Sequence, residues 1–318
     1  MKPYAVLRTW ILGGHLGNLP LEVLDYLMDI LSSQGGGSGI RATCHRLHDA
    51  FDAHNTTLVL GGRTLIEHIA SDPSFGSDDE LVEFVRGAML HTPCLNNLKV
   101  QNWFPANRDS RFWSDLRDHT EIQHFDFSNN NSGGAGNFLI PTTIDKRANL
   151  LHMDLRNTSC DYLHLLSACT LLRHLNLRLC RDFDGNLEPL AACVYLQHLD
   201  LGRCQNLRDL SPLQACVELQ HLDVRWTGVT DLAPLASCMD MRHLNIRNTP
   251  VRSLVPLLAC RDMQHLDLSG CQALEEKGLA GVMAVFTALR RLNLHGSNVL
   301  DLIPRDLFKS IKGLDLKV

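Results

Sequence analysis

The chain has 318 residues, 45% hydrophobic and 20% charged, with a formal net charge of -5. That much apolar material can bury a sizeable core, while the slight acidic excess supplies no basic field, so nucleic acid is not the expected partner. No apolar run reaches the roughly 18 residues that a membrane-crossing helix needs, so no membrane span is expected and the anticipated location is cytoplasmic, with the nucleus or a cytoskeletal assembly as variants.

The opening MKPYAVLRTWILGGHLGNLP carries Lys2 and Arg8 and no acid before Glu22, as an organellar or secretory leader would. Against that, Arg8 interrupts the apolar segment and no small-residue cleavage site follows. From Leu19 to Leu31 the apolar residues Leu19, Val23, Leu24, Leu27, Met28 and Leu31 recur at helical spacing, with Pro20 in the first turn. The run Ser32 to Gly39 breaks that helix, because consecutive glycines cost too much backbone entropy. A second helix is predicted from Ile40 to about Ala53, with Ile40, Cys44, Leu47 and Phe51 on one side.

These residues resemble an F-box, the helical motif that docks onto the Skp-type adaptor of cullin-RING ubiquitin ligases. The resemblance rests on Leu19-Pro20-Leu21-Glu22-Val23-Leu24 with Leu27 and Leu31, and on Cys44-His45-Arg46-Leu47, about 35 residues in all. It implies that Leu19, Pro20, Glu22, Val23, Leu24, Leu27, Leu31, Cys44 and Leu47 contact the adaptor. The sequence departs from the family where a Gly/Ser run replaces the usual Asp-Leu turn and where Leu47 stands in place of an aromatic. The same helices also read as an amphipathic cap over the first repeat, which repeat coils require at their ends.

Residues 1–54 form this helical block, 55–149 an irregular leading section and 150–318 a regular one. In the second, TTLVL at Thr56 to Leu60 reads as a strand, Asp79 to Leu90 as an amphipathic helix, and LNNLKV and IQHFDF as degenerate forms of a recurring phrase. Two loops interrupt it. One carries Trp103, Phe104, Phe112 and Trp113, expected to fill the core, with a binding knob as the alternative, and the other is the polar, glycine-rich Ser128 to Phe138.

From Leu150 the phrase becomes regular: LLHMDL, LRHLNL, LQHLDL, LQHLDV, MRHLNI, MQHLDL, LRRLNL, IKGLDL. Its third residue falls at His152, His174, His198, His221, His243, His265, Arg291 and Gly313, in steps of 22, 24, 23, 22, 22, 26 and 22. A period of this length and pattern signals a leucine-rich-repeat solenoid. The expected fold class is α/β: a curved parallel sheet on the concave side, short helical or 3-10 crossovers on the convex side, and a small N-terminal helical F-box-like cap. Eleven cysteines are present, but Cys169, Cys193, Cys216, Cys238 and Cys260 keep the period of the repeat and read as reduced core fillers. Thr158, Cys180, Cys204, Thr227, Thr249, Cys271 and Ser297 should bond the turns after the strands, and Pro189, Pro212, Pro234, Pro256 and Pro304 should start the crossovers. In those prolines the units resemble internalin-type repeats. The longer unit from Cys271 resembles the cysteine-containing repeat of F-box proteins.

Strand alternation turns the leucines inward and draws the exposed face in columns. One column holds His152, His174, His198, His221, His243 and His265, with His124 ahead of them. A second mixes Asp and Asn from Asp126 to Asp315, and a third contains Ser128, Arg156, Arg178, Gly202, Arg225, Arg247, Ser269, His295 and Lys317. With Trp226, the histidines and arginines are the predicted partner-binding residues. The His-Asp pairs repeat on every rung, whereas a metal site converges on one point, so no metal and no cofactor are expected. Neighbouring imidazoles should stack and hydrogen-bond across rungs, each protonation opposing the next and offset by the carboxylates. No nucleophile is singled out against a base, so no enzyme is expected. Two roles remain: substrate-recognition subunit of a ubiquitin ligase, or structural scaffold of a large cytoskeletal, flagellar or ribonucleoprotein assembly. The closing IKGLDLKV is a strand whose open edge a partner could complete, with Lys312 and Lys317 as the alternative means of keeping it soluble.

Overall fold

The computed structural model describes residues 57–61, 97–101, 122–129, 149–158, 163–180, 182–299, 302 and 313–317. The leader-like opening, the F-box-like residues from Leu19 to Leu47, the aromatic loop, most of the glycine-rich loop and Pro304 lie outside them. The chain divides into two compact units, Met1–Asp126 and Phe127–Val318. In the first, β1 (Thr57–Gly61) pairs in parallel with β2 (Asn97–Gln101), and β2 with β3 (His124–Asp126). The degenerate phrases are therefore strands, as predicted.

In the second unit every regular phrase becomes a three-residue strand. These are β4 (His152–Asp154), β5 (His174–Asn176), β6 (His198–Asp200), β7 (His221–Asp223), β8 (His243–Asn245), β9 (His265–Asp267), β10 (Arg291–Asn293) and β11 (Asp315–Lys317), parallel and in chain order. Pairing is in register, His152 opposite His174, Leu199 opposite Leu222, Asn245 opposite Asp267. Equivalent residues therefore stack about one strand spacing, 4.8 Å, apart. The middle residue of β4 through β10 is buried, and its neighbours look outward.

Opposite the strands, 3-10 segments span Leu163–Ala168, Glu188–Ala192, Ser211–Ala215, Ala233–Ser237 and Val255–Ala259, four of them with the expected proline in the first turn. A side chain two residues ahead accepts the opening N–H: Asn186 for Glu188, Asp209 for Ser211, Asp231 for Ala233, Ser253 for Val255. The longer unit has room for an α-helix instead, α1 (Leu279–Val285).

Between these layers lie stacked leucines and the periodic cysteines, all free and fully buried. In four of them the Sγ points at the rung before: Cys193 at the Cys169 carbonyl, Cys216 at that of Cys193, Cys238 at that of Cys216, Cys260 at that of Cys238, at 3.3–3.5 Å. Burial pushes the thiols of Cys193, Cys216 and Cys260 up to about 12. They are packing groups, as expected. The post-strand turn uses two devices. Thr227 and Thr249 donate to carbonyls three residues back in their own turn, Val224 and Ile246, both at 2.6 Å. Cys180, Cys204 and Cys271 reach the preceding rung instead, at Leu155, Leu177 and Ile246, at 3.1–3.2 Å. The choice of Thr or Cys sets whether this group closes a turn or ties two turns together.

Candidate binding face

In-register pairing turns the His column into a stack of rings. From His152 through His174, His198, His221 and His243 to His265, successive ring centroids are 4.0–4.1 Å apart and interplanar angles run from 10° to 21°. The stack ends at β10, where Arg291 stands opposite His265. Burial first, then the neighbouring imidazoles and Arg242, hold His221 and His243 down at about 4. His265 is lowered by burial and by Arg291 and Arg290. At these rungs the expected offset by carboxylates does not carry: partial desolvation and like charge win, and His221 and His243 are neutral near pH 7. The His198 Nδ1 is buried without a hydrogen-bond partner.

The Asp/Asn column is structural. In β4 through β10 one side-chain oxygen accepts the N–H two residues on: Arg156, Arg178, Gly202, Arg225, Arg247, Ser269 and His295, at 2.8–3.2 Å. The second oxygen of Asp154, Asp223 and Asp267 accepts the amide of the Asn on the next rung, at 3.0–3.4 Å. Cross-rung hydrogen bonds thus run through this column, where acids and amides alternate.

That alternation decides which arginines are paired. Arg156 and Arg225 follow an Asp and meet it, at 3.6 Å to Asp154 and 3.2 Å to Asp223. Arg178 and Arg247 follow Asn176 and Asn245, and neither has a carboxylate partner among the described residues. Asp223 itself is raised by burial despite its Arg225 contacts. The third column is less exposed than the sequence predicts, since Ser128, Gly202 and Ser269 are buried. Ser269 is short enough to fold back on Asp267 at 2.6 Å, and a Cβ on Gly202 would lie 3.2 Å from the Arg225 Nε that lies beside it.

At the corner after each strand the backbone enters the left-handed region. The residues there are Asn129, Asn157, Leu179, Arg203, Trp226, Asn248, Gly270 and Gly296, with φ between 52° and 69°. Trp226 therefore stands at a corner, beside the Arg225 column rather than in it, 47% exposed. The Arg203 guanidinium carbon lies 5.7 Å from its ring centroid. Sequence reasoning missed Leu179 and Arg203. The signal was present, because both immediately precede the turn cysteines where other units carry Asn or Gly.

All predicted partner-binding residues of this face are thus brought together on neighbouring rungs. Among the described residues no group of three His, Cys, Asp or Glu is disposed to hold a metal, and no helix is long and apolar enough to cross a membrane.

No family model matches the sequence, and no curated protein matches it. Solved structures do. An internalin C2 from Listeria monocytogenes superposes with a TM-score of 0.50 at 20% identity, over 65% of this chain and 83% of its own. A plant peptide hormone receptor, RGFR1 in complex with RGF2, gives a TM-score of 0.51 at 16% identity, over 71% of this chain and 36% of the receptor. The fold is a leucine-rich-repeat solenoid. Within that solenoid the His, Asp/Asn and Arg columns belong to the open sheet face, and the proline-led 3-10 segments form the opposite side.

Proposed function

We propose that this chain is a protein-binding module whose open sheet face holds the partner. The observation that carries the reading is the face itself: six stacked, half-buried imidazoles flanked by arginines, with no described element packed over them. Stacked rings offer a flat column with polar edges, and repeated rungs let a partner make many equivalent contacts. A protein of the same fold, the plant receptor, is known in complex with RGF2. The role is binding rather than catalysis, because the columns repeat equivalent groups instead of converging three unlike ones on a reacting atom. A photo-crosslinking residue at position 221 should trap a partner in native extract. The same residue at position 258, on the 3-10 side, should not, and equal trapping at both would remove the reading.

The F-box resemblance at Leu19 to Leu47 supports a finer role, a substrate-recognition subunit that docks a Skp-type adaptor. Recombinant adaptor should co-purify with the full chain and be lost on Leu19→Ala with Pro20→Ala. If the unaltered chain never retains it, the ubiquitin-ligase role falls and the scaffold role takes its place.

A further inference from the structure

Three successive corners break a rule that the other five keep. Left-handed backbone suits Gly and Asn, because an L side chain there crowds the following carbonyl. Asn129, Asn157, Asn248, Gly270 and Gly296 obey this, whereas Leu179, Arg203 and Trp226 adopt φ of 63°, 67° and 59° with large side chains. Burial does not compensate for the strain: Arg203 is exposed and Trp226 is 47% exposed. Strain retained at an exposed position points to a use outside the fold.

The three corners are consecutive rungs of one ladder. The Leu179 N–H donates to the Gly202 carbonyl at 2.9 Å, that of Arg203 to Arg225 at 2.8 Å, and that of Trp226 to Arg247 at 2.9 Å. Arg203 lies over the Trp226 ring, so the indole is held out and the guanidinium is held beside it. Arg178 and Arg247 bound the group, and these two and Arg203 have no carboxylate partner among the described residues. The Arg178 Nε is also a buried donor with no acceptor. The result is a row in which Leu179 and Trp226 flank Arg203, with Arg178 and Arg247 at its ends, and no described carboxylate neutralises those three guanidinium groups.

We propose that this corner patch docks an extended acidic segment of a protein partner, with carboxylates on either side of an apolar pair. The inference rests on the binding role proposed above and names its partner chemistry. Carboxylates match the forked guanidinium donors, and the apolar pair packs on Leu179 and Trp226. Three rung steps separate Arg178 from Arg247, about 15 Å at the parallel-strand spacing, which about five extended residues span. A peptide is favoured over a nucleic-acid strand by charge. The chain is acidic overall, and Asp200 and Asp223 stand two residues before Gly202 and Arg225, where a continuous phosphate backbone would meet them.

The test is fluorescence anisotropy on the full chain with a labelled hexapeptide, Glu-Asp-Phe-Leu-Asp-Glu, against its Gln/Asn counterpart and a twelve-residue oligothymidylate. The acidic peptide should bind at least tenfold more tightly than either. Trp226→Asn and Arg203→Asn should each weaken it at least tenfold, while Asn248→Gly, a corner already suited to its backbone, should not. Far-ultraviolet circular dichroism checks that each variant is folded. No binding at millimolar peptide, equal binding of the amide peptide, unchanged binding by both corner variants, or preference for the oligonucleotide overturns the proposal. Crosslinking from position 221 that survives Trp226→Asn would overturn the patch and leave the binding face standing.

Discussion

At the scale of single residues, the turn after each strand concentrates both the stabilising and the costly choices. Thr227 satisfies the buried Val224 carbonyl. Thr227→Val keeps the shape and removes that donor, which should cost about 1–3 kcal/mol, read as a lower urea midpoint at unchanged slope. The corners run the other way. Arg203→Asn with Trp226→Asn relieves two left-handed residues at about 1 kcal/mol each and gives up one exposed cation–π contact of about 0.5–1 kcal/mol. The double variant should therefore be more stable by about 1 kcal/mol in the same measurement, even as it loses the proposed ligand. The cysteines supply a third expectation. With thiols of Cys193, Cys216 and Cys260 pushed up to about 12 by burial, none should be alkylated by iodoacetamide at pH 8 in the folded protein. All should react once it is unfolded, as peptide mass spectrometry would show.

At the scale of elements, the histidine column links pH to stability. His221 and His243 sit at about 4 against an ordinary 6.5, so the unfolded chain takes up protons first as pH falls. Stability is full above about 6.5 and declines as pH falls towards 4. Asp223, raised from its usual carboxylate range, acts in the opposite sense, and only at the acid end. The comparison is therefore best made at pH 5.5 against 7.5, where His221→Gln with His243→Gln should flatten the difference in urea midpoint. Strands and columns were legible in the sequence because a parallel in-register sheet copies sequence period directly into space. LxHLDL therefore predicted both the inward leucines and the stacked rings. What was not legible was the division of labour within a column. Whether Asp154 serves its own turn, Arg156 or the amide of Asn176 depends on which hydrogen bonds close, and here it serves all three. The sign of the histidine shift was likewise hidden, since it depends on how far neighbouring rungs shield each ring from water.

At the scale of the whole molecule, the leucine rows identified the fold without any relative at high identity, because stacking requires only the period and the buried apolar positions. The corners were harder to see: Leu179, Arg203 and Trp226 look ordinary until the backbone shows that their equivalents are Asn and Gly. A core substitution such as Leu222→Ala should cost about 2–5 kcal/mol, and its effect should be felt on the adjoining rungs, since Leu222 pairs with Leu199 and Leu244. Hydrogen exchange resolved along the chain should show the β6 to β8 amides exchanging faster while those around α1 change less.

Because the described regular rungs, β4 through β9, bond to the rungs beside them and share one strand pattern, length is a separable trait of this architecture. Duplicating the 22 residues from His221 to Arg242 in tandem should yield a folded chain with one more imidazole in the stack. Inserting a single residue inside β7 should not, because it would turn Leu222 out and a polar neighbour in.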